Sequence, residues 1–124
     1  MAHVTPDPHA AAAPVIAFDD WLKADVRIGT IVEVLPFPEA RKPAFKLVID
    51  FGPVIGQRRS SAQITRHYAA DALVGTRVIA VVNFAPRQIG KFMSEVLTLG
   101  VPDAEGEVVL LRPDQPVPNG GRLF

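Results

Sequence analysis

The sequence predicts a mostly β domain with a small helical share: a five-stranded barrel with a helix between strands three and four, a short helix in front and an extended arm behind. Three observations carry this. From Val26, and again from Phe45, apolar residues recur at every second position, the period of a half-buried strand. Gly52-Pro53, Gly56 and Gly75 interrupt the chain between short apolar runs, as turns do. Thr76 to Val82 is apolar on both faces, which suits a strand at the centre of a sheet. At 124 residues the chain amounts to one domain.

In chain order, residues 1–17 read as a flexible Ala/Pro tail. No Lys or Arg precedes their apolar part, and Pro6, Pro8 and Pro14 interrupt it, so the segment fails as a signal peptide and as a membrane span. The domain then covers residues 18–124, with no membrane insertion. Asp19 or Asp20 caps a short helix through Trp21, Leu22 and Lys23. In the first strand Val26, Ile28, Thr30, Val32 and Val34 share one face, Arg27, Gly29, Ile31, Glu33 and Leu35 the other, and Gly29 is the expected bend. Pro36, Pro38 and Pro43 bracket a polar loop with Glu39, Arg41 and Lys42, and Phe45 to Asp50 is the second strand. Gln57 to Ser61 is a short third strand, and Thr65 to Leu73 a helix stopped by Gly75. Thr76 to Val82 and Ser94 to Leu99 are strands four and five, with Val108 to Leu111 a sixth or an extension. Three strands, a helix and two more strands are the layout of an OB-fold barrel. The prolines 113, 116 and 118 exclude regular helix or inner strand after Arg112. That segment ends in apolar Leu123-Phe124, so it is expected to pack as an extended arm, across a partner subunit, with a disordered tail as the alternative.

Thirteen basic and thirteen acidic residues cancel. Locally they do not: between Gly52 and Ser94 the bases are Arg58, Arg59, Arg66, Arg77, Arg87 and Lys91, and Asp71 is the sole acid. The absence of cysteine excludes a disulfide framework and thiolate metal sites and fits a reducing cytoplasm. His3, His9 and His67 are scattered, which argues against a metal site. No serine, histidine and acid group suggests hydrolysis, and no glycine-rich loop followed by Lys and Ser or Thr suggests a nucleotide. The expectation is a non-enzyme with no cofactor, acting by passive binding.

The binding candidates interleave aromatics, hydroxyls and bases. Phe37, Phe84 and Phe92 lie in predicted loops, where exposure would let them take up apolar side chains or stack on bases; core burial is the alternative. Arg87 and Lys91 follow a strand end and suit a carboxylate or phosphate, with plain surface charge the alternative for Lys91. Ser60, Ser61 and Gln63 offer polar groups on a strand edge for an extended segment; Ser61 or Thr65 alternatively caps the next helix. Asn83 ends an apolar strand and is read as orienting a ligand backbone or as a turn amide. Ser94 and Glu95 open the fifth strand beside this rim, and Arg41 belongs to the proline-bracketed loop. A 48% apolar composition leaves oily area outside so small a fold, and self-association would cover it.

Several strings also occur in order with matching gaps: Phe18 to Thr30, Phe37 to Arg41, Lys46 to Gly52, Ser60 to Thr65, Val78 to Arg87, Ser94 to Leu97 and Pro113 to Gly120. On these the chain resembles the CsaA secretion chaperones, a branch of the tRNA-binding OB-domain family, from Phe18 to its end. The resemblance implies a cytoplasmic homodimer of OB barrels that binds unfolded or pre-secretory polypeptides and is linked to the Sec export ATPase. The wider family implies tRNA binding, but its members usually carry more lysine, and a Gly-Met where this chain has Val96-Leu97.

Overall fold

The computed structural model describes residues 5–124; the first four residues of the tail, His3 among them, lie outside the described residues. Residues 5–17 are exposed and form no helix or strand. Helix α1 (Phe18–Leu22) is a single turn opened by Asp20, whose carboxylate accepts the Ala17 N–H at 3.2 Å. Strands β1 (Val26–Pro36), β2 (Phe45–Asp50) and β3 (Gln57–Ala62) form an antiparallel meander, with the helical turn α2 (Gly52–Ile55) between the last two. After the short helix α3 (Ala70–Leu73), β4 (Arg77–Val81) returns to pair with β1. A hairpin of β5 (Arg87–Ile89) and β6 (Phe92–Ser94) follows, then β7 (Leu97–Thr98) beside β4, then a hairpin of β8 (Gly100–Pro102) and β9 (Val108–Leu110). The main sheet runs β3-β2-β1-β4-β7. It curls until the Arg59 carbonyl of β3 accepts the N–H groups of Glu95 and Val96, at 2.8 and 3.3 Å. The result is a nearly closed five-stranded OB-fold barrel, as the sequence predicts.

Alternation builds the interior. Leu47 and Ile49 of β2, Val78 and Ala80 of β4, and Ile31 of β1 meet Phe51 and Leu73 with essentially no exposure. Each large side chain hidden this way contributes about 1.5–3 kcal/mol against the entropy of ordering the chain. Gly29 serves this packing rather than the expected bend: a Cβ there would stand 2.5 Å from Ile49 Cγ2 and 2.9 Å from the Phe51 ring. The irregularity lies further on, where the β1–β2 register slips between Ile31 and Glu33. The slip corrects the expected single face, because Val32 emerges exposed while Val34 packs against the barrel.

Three other expectations change. The helix read over Thr65–Leu73 contracts to Ala70–Leu73, because its first half is held by long-range contacts instead. The Tyr68 hydroxyl accepts the Leu110 N–H at 3.0 Å, and His67 Nε2 lies 2.6 Å from Asp103. The strand read over Ser94–Leu99 breaks at Glu95-Val96, where the chain leaves β5 for β4 and spends two N–H groups closing the barrel. Finally, the C-terminal arm runs along its own β1. Gly120 N–H donates to the Ile28 carbonyl (2.8 Å), Ile28 N–H to Gly121 (2.9 Å) and Leu123 N–H to Val26 (2.9 Å).

Side chains lock that arm. Thr30 Oγ1 donates to Asn119 Oδ1 at 2.8 Å, Arg77 donates to the Val117 carbonyl, and Arg27 donates to the Gly120 carbonyl. Asp25 binds both Arg27 and Arg122, and Arg122 also donates to the Leu22 carbonyl of α1. Among the described residues no helix is long and apolar enough to cross a membrane.

Candidate binding groove

On the outer faces of β2 and β3, alternation brings up Lys46 and Arg59 as Leu47 and Ser60 turn inward. In the antiparallel register Lys46 lies opposite Ser61, and Arg59 opposite Val48, so the two cations are diagonal neighbours. Next to them the proline-bracketed β1–β2 loop meets the β5–β6 hairpin. Phe37 from the loop and Phe92 from the hairpin pack edge to face, ring centres 5.4 Å apart, with Ala44 between the two elements. Lys46 Nζ stands 4.8 Å from the Phe37 ring centre and 5.6 Å from that of Phe92, and the Arg59 guanidinium is also 5.6 Å from Phe92.

These groups enclose an open groove of about 610 Å³ lined by Glu39, Lys46, Arg59, Gly90, Lys91 and Phe92. Glu39 Oε2 lies 3.5 Å from Lys46 Nζ, and Glu95 lies 3.3 Å from Arg59 Nε. Three cations thus share the groove with one lining carboxylate, over an aromatic floor. Such a groove can hold an anionic group beside apolar surface.

Phe92 and Lys91 line the groove, while the other residues read from the sequence are spread more widely. For Phe37 and Phe92 the structure shows core burial, the alternative to exposure: they are only 4% and 9% exposed, each ring covering the other. Phe84 is 56% exposed, on the loop after β4, and Arg87 is exposed at the start of β5. Arg41 and Gln63 are exposed too. Ser60 is fully buried, its hydroxyl accepting from Thr98 Oγ1 at 2.8 Å, so it is not an edge donor.

The β3 edge read as open to an extended ligand is closed by the chain itself. Ser94 Oγ accepts the Ser61 N–H at 3.0 Å, and Glu95 accepts the Arg59 N–H at 3.1 Å. Asn83 is likewise engaged at both ends: its Oδ1 accepts the Asp25 N–H (2.9 Å) and its Nδ2 donates to the Lys23 carbonyl (2.7 Å). It ties the end of β4 to the segment that leads into β1, a structural role across the fold rather than within a local turn. Lys46, Arg59, Glu39 and Gly90 stand outside the set read from the sequence, although strand alternation alone puts Lys46 and Arg59 on outer faces.

Two carboxylates elsewhere titrate below the usual range. Asp25 is held down chiefly by its hydrogen bond from Arg27, aided by the charges of Arg27 and Arg122. Asp103 is held down first by the Glu107 N–H, then by His67. Both belong to the scaffold rather than to the groove.

Residues 26–122 match the family described as "Putative tRNA binding domain". The chain is 49% identical to the CsaA chaperone protein of Picrophilus torridus, with a TM-score of 0.83, covering 89% of this chain and 100% of that one. It is 48% identical to the chaperone CsaA of Bacillus anthracis, also at TM-score 0.83, covering 90% and 100%. It is 36% identical over 115 residues to the methionine–tRNA ligase of Porphyromonas gingivalis, which takes in 90% of this chain but only 16% of that relative's length.

Proposed function

Because this chain belongs to the tRNA-binding domain family and covers the full length of two CsaA chaperone structures, we propose that it is a homodimeric, ATP-independent chaperone of the cytoplasm. It binds unfolded or pre-secretory polypeptides and passes them toward Sec-dependent export, with the export ATPase as a partner. The observation that carries the reading is the groove: three cations around an apolar floor whose rings are already covered. A polypeptide needs only side-chain pockets and charges there. A single-stranded nucleic acid gains non-electrostatic affinity from bases stacked on open rings, and within the groove neither Phe37 nor Phe92 presents one, the exposed Phe84 lying outside its lining.

The dimer is supported by apolar surface beside the arm. Phe18, Leu22, Val117 and Phe124 are exposed, and a second cleft of about 320 Å³ is lined by Ile28, Pro113, Val117, Leu123 and Phe124. A second copy covering this face would remove it from water. Light-scattering mass checks this part.

The functional test is aggregation of a denatured client protein without ATP. Slowed aggregation at stoichiometric protein supports the proposal, and an unchanged rate at excess removes it. The second reading, a tRNA-binding module, is favoured by the family match and by Lys46, Arg59 and Lys91 on one face. It requires affinity for bulk tRNA to fall with salt at a logarithmic slope of about −2 to −3 for three neutralised phosphates. Salt-independent binding would exclude it.

A further inference from the structure

We infer that the groove selects acidic stretches of polypeptide, and that Glu39 holds the place of the incoming carboxylate in the free protein. The inference rests on the polypeptide-binding reading above. Its basis is a difference in how the groove's charges are held. Lys46 is fixed, with only 27% of its side chain exposed, because its stem lies on β2 and its ammonium over two rings. Its partner is not fixed. Glu39 is 60% exposed on a loop without regular structure, and the 3.5 Å contact to Lys46 is its one ion pair among the described residues. A carboxylate so placed can swing into water at little cost.

The other two cations have capacity to spare. Arg59 is engaged at Nε by Glu95, and its terminal nitrogens make no hydrogen bond among the described residues. Lys91, exposed at the tip of the β5–β6 hairpin, has no ion-pair partner among the described residues. Gly90 beside it leaves the hairpin tip open, since a Cβ there would meet nothing within 4 Å. An entering Asp or Glu side chain would therefore displace Glu39 from Lys46 and gain Arg59 and Lys91, while a neighbouring apolar side chain meets Phe92. Glu39 and Glu95 repel any anion, so the groove favours an occupant that spaces its carboxylates among apolar side chains and gains the edge of Phe92 over one that brings a phosphate with every residue.

The test uses two short fluorescein-labelled peptides, one alternating Leu and Glu and one alternating Leu and Gln, with a single-stranded RNA oligonucleotide as a third probe. Fluorescence anisotropy is read on the wild type, Glu39→Gln and Lys46→Gln, each checked for an unchanged melt. The expected result is that the Leu/Glu peptide binds more tightly than the Leu/Gln peptide. Glu39→Gln should tighten the Leu/Glu complex alone, by about two- to five-fold as for loss of an exposed competing ion pair, and Lys46→Gln should weaken it. Equal binding of the two peptides, or no response to Glu39→Gln, overturns the inference and leaves polypeptide binding standing. Binding of neither peptide removes the polypeptide reading and this inference with it. RNA binding that exceeds the Leu/Glu complex and gains equally from Glu39→Gln overturns the peptide occupant and assigns the groove to phosphates.

Discussion

Glu95 holds Arg59 twice, accepting its backbone N–H at 3.1 Å and its side-chain Nε at 3.3 Å. One carboxylate therefore closes the barrel seam and aims a groove cation. Glu95→Ala should lower stability by about 1 kcal/mol, the low end for losing the partner of a backbone donor, since the bond is exposed to water. Glu95→Gln keeps an acceptor oxygen and should cost less. Urea melts of the two variants check the order.

The arm should respond to acid through Asp25. Its carboxyl is held below the ordinary range by Arg27 first and by Arg122, so it stabilises the fold above its unfolded value near 3.8. That contribution is lost as pH falls through the lower folded value. Asp25→Asn should therefore be less stable than the wild type at neutral pH, and the gap should close below about pH 4. Denaturant melts from neutral to acid pH measure it; a gap independent of pH would contradict the role given to Asp25.

Gly120 is a position where a side chain on the arm would collide with the barrel backbone. Its φ is +87°, and a Cβ would stand 2.7 Å from the Phe51 carbonyl oxygen. Gly120→Ala should destabilise by more than about 1 kcal/mol, because both the backbone region and the contact penalise a side chain. Gly75→Ala has nearly the same φ, +88°, and meets nothing within 4 Å, so it should melt higher than Gly120→Ala.

Much of this was legible, and what was not has identifiable causes. β1 and β2 follow from period-two alternation sustained over eleven and six residues, β3 from the glycine turns in front of it and β4 from its continuous apolar run. β5 and β8 are three residues long and leave no period to read. The arm's extended course follows from its prolines, but its docking on Val26 and Ile28 depends on backbone groups that no residue pattern announces. In the groove, the sequence found Lys91 and Phe92 but could not tell a buried Phe37 from an exposed Phe84, since both lie in loops beside prolines. The difference is tertiary: Phe37 finds Phe92 to pack against, and no aromatic ring packs on Phe84 among the described residues.

Phe84 and Arg87 lie exposed and outside the groove lining, on the loop that leads into the β5–β6 hairpin. Phe84→Ala combined with Arg87→Glu should weaken client binding and leave the melt unchanged, since neither side chain supports the core. Full binding by the double variant would take this loop out of the binding surface.

The central claim, that clients are held at the groove's cations, is tested most directly by one titration. A labelled, permanently unfolded polypeptide is bound to the wild type and to Lys46→Glu with Lys91→Glu, both confirmed folded. The account predicts at least about a ten-fold loss of affinity, roughly 1.4 kcal/mol. Equal affinity in the two folded proteins would contradict it.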